Sequence, residues 1–150
     1  MNLRQLGDMP LTRVIEFKQG ISMHKTFSCA DNFTAPVGTA VKLNSDGTVS
    51  AAAATDPLLG VIHVTKNKSH MGKPCVGVSL NCRTEILGTA TGAITCGQEV
   101  TCDGFATIGS DQVVKYKVAA TGQNVVGIAT KTSAISEDVT VLVFTAFYKK

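Results

Sequence analysis

Apolar and polar residues alternate along most of this chain. In Val41-Lys42-Leu43-Asn44 the apolar side chains fall at every second position, the period of a strand with one buried face. Asp46-Gly47 follows, a pair suited to the positive φ of a tight hairpin turn, and Thr48-Val49 resumes the extended run. Val76, Val78 and Leu80 share one face of a later run, and Val114, Tyr116 and Val118 alternate with Lys115 and Lys117. In the last run Val139, Val141 and Val143 occupy one face while Leu142, Phe144 and Tyr148 occupy the other. A strand apolar on both faces needs cover on both, from a second layer or a neighbouring subunit.

These phrases recur in order. Glu99-Val100-Thr101-Cys102-Asp103-Gly104 repeats the strand and its Asp-Gly turn, and Ile94-Thr95-Cys96-Gly97-Gln98 stands where Val37-Gly38-Thr39 stood. Residues 122–129 match residues 55–62 in type and order, and Asp138 to Phe144 closes the second copy as Pro74 to Leu80 closes the first. The pattern predicts an internal duplication, with halves at about 35–80 and 92–144 inside a β-rich body of residues 35–150. The predicted fold class is all-β: a compact barrel or sandwich built from two similar strand-turn repeats.

Residues 1–34 lie outside the repeat and read as an N-terminal arm. Asp8-Met9-Pro10 suits a helix start, with Leu11, Val14 and Ile15 on one face and Gly20 as a stop. The same letters fit a strand in which Leu11, Arg13, Ile15 and Phe17 alternate with Thr12, Val14 and Glu16. The period leaves both open. An arm that buries little in its own body orders on a partner, which marks Leu11, Val14, Ile15, Phe17, Phe27 and Phe33 as candidate contacts with another protein or protomer. Leu142, Phe144, Phe147 and Tyr148 are the corresponding candidates for a subunit interface.

Composition narrows the function. The chain has 150 residues and is 44% hydrophobic, enough for a core, but it is only 5% aromatic and lacks tryptophan, which disfavours a glycan site built on aromatic platforms. The net charge of +3 is scattered, and the one basic cluster, Lys66, Lys68, His70 and Lys73, reads as a solvated loop, so no nucleic-acid partner is expected. No stretch has transmembrane length and the N-terminus carries no apolar signal core, so no membrane is expected either. Cys29, Cys75, Cys82, Cys96 and Cys102 form an odd set without a CxxC pair, as free thiols of a reducing compartment would. His24, His63 and His70 share no metal-ligand spacing. Gly72-Lys73-Pro74 and the glycines of residues 88–92 read as turns rather than phosphate loops. The expectation is a protein with no catalytic residues, metal or cofactor.

The ordered set Val41-Lys42-Leu43 with Asp46-Gly47, then Asp56-Pro57-Leu58-Leu59-Gly60-Val61, then an alternating apolar strand, and its second copy through Val126-Gly127-Ile128-Ala129 to Phe144, resembles the capsid decoration, or cement, proteins of tailed bacteriophages. The resemblance covers roughly residues 35–146. It implies a β-tulip-like virion protein, made in the host cytoplasm, that sits on the outer head surface as a homo-oligomer, most simply a trimer. Its partner would be the major capsid protein, whose neighbouring subunits it would clamp. The alternative of a different class is another virion or surface β module: a head-fibre base, a tail component or a glycan-binding adhesin.

Overall fold

The computed structural model describes residues 24–68, 71–80 and 84–150, with the side chains of 144–146 left aside. Among the described residues the chain is all-β and contains no helix. The first half supplies β1 (His24–Ser28), β2 (Ala40–Leu43), β3 (Val49–Ala51), β4 (Gly60–Lys68) and β5 (Pro74–Ser79). The second supplies β6 (Glu85–Ala90), β7 (Glu99–Ile108), β8 (Asp111–Val118), β9 (Asn124–Ala129) and β10 (Asp138–Lys149).

The first sheet has the order β1-β5-β4-β2-β3, and the second half runs through the same sequence of neighbours, β6-β10-β9-β7-β8, before closing into a barrel where β6 meets β8. The correspondence extends to individual residue pairs. Leu43 lies opposite Val49 as Cys102 lies opposite Tyr116, and Val41 faces Gly60 as Val100 faces Gly127. Gly38 donates its N–H to Ile62 and Gly97 donates to Ala129, both at 2.8 Å. Even the closure is shared. Ala90 pairs in parallel with Tyr116, and a single parallel bridge joins Cys29 to Val49 at the matching place. The first half stops at one bridge because β3 has three residues where β8 has eight.

The packing follows from strand alternation. Val41 and Ile62 point into the first half's own core with Val49, Val76 and Val78. Ala40 and Val61, their neighbours on the opposite face, join the second half's core beside Val100, Val126 and Val141. The two halves are therefore two packed layers with a shared wall. At one matched position the two interiors place an aromatic differently. Phe27 on β1 packs against the first core, whereas its counterpart on β6 is Gly88, where a Cβ would come within 2.7 Å of the Tyr116 ring.

Three expectations change. Residues 24–34, expected in the arm, belong to the β body: β1 pairs with β5 along its whole length, Cys29 is buried, and Phe27 and Phe33 pack on the first core. The second repeat correspondingly starts at Glu85, because Gly88-Thr89-Ala90 is buried strand rather than turn. Asp103-Gly104 is not a hairpin turn. Gly104 uses its positive φ of 78° at a bulge between Cys102 and Phe105, and β7 continues to a turn at Gly109. That extension carries Phe105 onto the first half's core.

Gly60 and Gly127 occupy the same tight crossing. A Cβ on Gly60 would run into the Ser79 carbonyl oxygen, and one on Gly127 into that of Leu142, so each strand lies too close to its neighbour for any side chain there. Gly60→Ala and Gly127→Ala should each cost about 3 kcal/mol in urea unfolding. Gly92→Ala, at a site with open space around it, should change stability by no more than about 0.5 kcal/mol.

Candidate interaction surfaces

An open groove of about 860 Å³ lies where the two halves meet. It exists because the β6–β8 ladder consists of two pairs, Thr89 with Lys115 and Ala90 with Tyr116, and the strands part ahead of them. Leu87 on β6 and Val113 on β8 form its apolar sides with Val37 of the first half, while Lys66, Asp111 and Asp138 supply charge. Val37 is 41% exposed and Leu87 60%, a large apolar surface for residues in strand and turn.

The deep end of this cleft is plugged by the first half. Gly38 sits so close to Ile86, Val114 and Tyr116 that a Cβ there would collide with the Ile86 side chain. The Tyr116 hydroxyl donates to the Gly38 carbonyl at 3.2 Å. Complete burial raises the Tyr116 pKa well above the usual phenol value, so the hydroxyl stays a neutral donor. Nearby, Lys117 pairs with Asp103 at 2.7 Å. Burial pushes the Asp103 carboxyl up, but the Lys117 hydrogen bond and charge outweigh it, and the pKa is lowered.

A second groove, about 270 Å³, crosses the outer face of β1, β5 and β4. His24 and His63 stack there with ring centroids 4.1 Å apart, and Lys25, Lys68 and Cys75 share the lining. This brings histidines and a cysteine to one surface, which their sequence spacing did not foretell. The thiol is nonetheless out of reach of His24 as a base. His24 lies opposite Ser79 and Cys75 opposite Ser28, four residues along the strand or about 13 Å. Among the described residues no group of three His, Cys, Asp or Glu could hold a metal ion.

The candidate contact residues divide. Leu11, Val14, Ile15 and Phe17, with the side chain of Phe144, lie outside the described residues. Phe27 and Phe33 are half-buried against the first core. Phe147 is half-buried against the second core, so its own chain supplies much of the cover that β10 requires. Leu142 is half-buried between Ile128 and Glu85. Tyr148, 44% exposed, donates its hydroxyl to Glu99, which also pairs with Lys150 at 3.3 Å. These hydrogen bonds, Tyr148 first, lower the Glu99 pKa. Glu99 is the counterpart of Ala40, so the face that docks the first half onto the second is polar and capped in the second copy.

Sequence reasoning missed the groove, because Leu87 and Val113 are distant in the chain and meet only through the β6–β8 seam. The one available signal was Ile86-Leu87, an apolar pair that breaks alternation and so places one large side chain outside the core. No family model matches the chain, and no curated protein matches it.

Tyr116→Phe should lower unfolding stability by about 1–2 kcal/mol in urea titration, because the buried Gly38 carbonyl loses its partner. Tyr148→Phe, which removes a hydroxyl from an exposed cluster, should cost under about 0.5 kcal/mol.

Proposed function

We propose that this chain is a cement protein of a tailed-bacteriophage head, which binds the outer capsid surface and braces contacts between major capsid protein subunits. The observation that carries the reading is the duplicated strand-turn body. Of the phrases that resemble that family, Leu59-Gly60-Val61 and Val126-Gly127-Ile128 recur at matching positions of the two halves, with Val41 opposite Gly60 as Val100 is opposite Gly127. In physical terms they build a rigid adhesive block. The ten strands of the described residues, with a shared core wall, leave little that can deform, and a molecule whose work is to resist outward pressure needs stiffness more than a cleft.

The adhesive surfaces in this reading are residues 1–23 and the exposed end of β10. Many copies on a symmetric shell let weak single contacts sum to firm attachment. An extended arm can add a strand to an open sheet edge, gaining affinity from backbone hydrogen bonds while alternate side chains give selectivity. Leu142, Phe144 and Tyr148 on β10 are the surfaces for a homo-oligomer, with a trimer favoured.

Cosedimentation with heads that lack the protein tests the proposal. The intact chain should saturate such heads and raise the temperature at which they release DNA. A chain without residues 1–23 should keep its β-rich circular dichroism but bind at least about tenfold more weakly, the effect of losing 1.4 kcal/mol or more per site. Failure of the intact chain to bind any capsid surface would overturn the reading. Light scattering should give three times the 15.7 kDa chain mass.

A further inference from the structure

We propose that the outer face of β1, β5 and β4 receives the outer face of β6 and β10 from a second copy of this chain, bringing Lys25 and Lys68 of one copy to Glu85 and Asp138 of the next. The two faces are counterparts in the duplication, since β1, β5 and β4 occupy the places that β6, β10 and β9 occupy in the second half. Their charges are opposite. Among the described residues, Lys25 and Lys68 line the groove across the first face and no carboxylate does. On the second face Glu85 and Asp138 are exposed, and the Thr130 hydroxyl donates to the Glu85 carboxylate at 2.6 Å. None of these four charges has an ion-pair partner among the described residues, although Lys42, Lys117 and Lys150 each have one. Complementary charge on two surfaces steers their encounter and fixes their register.

The spacing agrees with the charge. Lys25 lies opposite Val78 and Lys68 opposite Pro74, four residues apart along β5. Glu85 lies opposite Leu142, four residues along β10 from Asp138. Each pair is therefore separated by about 13 Å in the strand direction, so both ion pairs can form at once. Between its two charges each face carries one exposed apolar side chain, Val64 opposite Gly77 in the first and Leu87 opposite Thr140 in the second. Apolar contact at the centre with charge at the rim is the common make-up of a protein interface. The giving and receiving faces differ, so every copy uses both, the arrangement of a closed ring such as a trimer. A lysine-lined groove also suits an acidic segment of another protein. The second copy is favoured because this chain itself carries the complementary face at the matching spacing.

The contact takes from the proposed function only its homo-oligomer, and gives that oligomer a second surface beside Leu142. Sedimentation velocity on the intact chain tests it. The chain should sediment as an oligomer at about 50 mM salt and dissociate more readily at about 500 mM, where exposed charges are screened. Lys25→Glu with Lys68→Glu should weaken association about tenfold or more, and Glu85→Lys with Asp138→Lys should do the same. All four positions are exposed, and all four changes in one chain reverse both faces together. That quadruple variant should regain the oligomer, which a merely misfolded chain would not. A monomeric intact chain would overturn the proposal, as would an oligomer unmoved by either double reversal or a quadruple variant that stays dissociated. An oligomer unmoved by the Lys25 and Lys68 reversal whose binding to phage heads is lost would assign the groove to an acidic segment of the capsid and overturn the copy-to-copy contact. Retained binding with an unmoved oligomer would remove this contact and leave the cement reading standing, so the two fail separately.

Discussion

Burial of one tyrosine ties this molecule together. Tyr116 is wholly inaccessible, yet its hydroxyl must keep a hydrogen bond, since an unpaired polar group in such a place costs about 1–3 kcal/mol. It finds the Gly38 carbonyl, which belongs to the other half of the chain. The same residue pairs with Ala90 to close the second barrel and fills the space that Gly88 leaves empty. Closure of one half and attachment of the other thus depend on the same side chain. Replacing Gly88 or Gly38 by anything larger would displace the Tyr116 ring or the side chains around its hydroxyl.

The duplication sets how the halves differ as much as how they agree. The pairing scheme is common to both, but the large side chain has moved, from Phe27 beside Val49 in one half to Tyr116 beside Gly88 in the other. That exchange keeps each interior filled while opening a socket in only one of them. The docking is consequently directional. Gly38 enters the second half, whereas Gly97, its counterpart, has nothing within 4 Å. A head-to-tail contact of this kind extends indefinitely unless something ends it. Here Glu99, held by Tyr148 and Lys150, puts charge where Ala40 has a methyl group.

Several large apolar side chains stand exposed among the described residues. Val37 and Leu87 flank a groove between the halves, and Met71 and Ile135 stand out at 73% and 65% exposure. Apolar area removed from water contributes about 25 cal/mol per Å² wherever a partner fits.

The alternation of Val41 with Lys42, or of Val139 with Thr140, was enough to determine an all-β chain, since the side-chain period of a strand is a local property. The order of phrases was enough to determine the duplication, and Val139, Val141 and Val143 were legible as core. What lay beyond the sequence was every feature made by two distant segments. Gly104 reads like Gly47, but whether a positive φ makes a turn or a bulge depends on whether the partner strand continues, and β8 does. Phe27 and Phe33 read as an arm because nothing local shows that β5 is waiting to pair with residues 24–28. The groove between Leu87 and Val113 depends on where a parallel ladder stops. Local periodicity is written in neighbouring residues. Pairing partners and the gaps between them are settled only when long-range hydrogen bonds and shared burial select one arrangement of the whole chain.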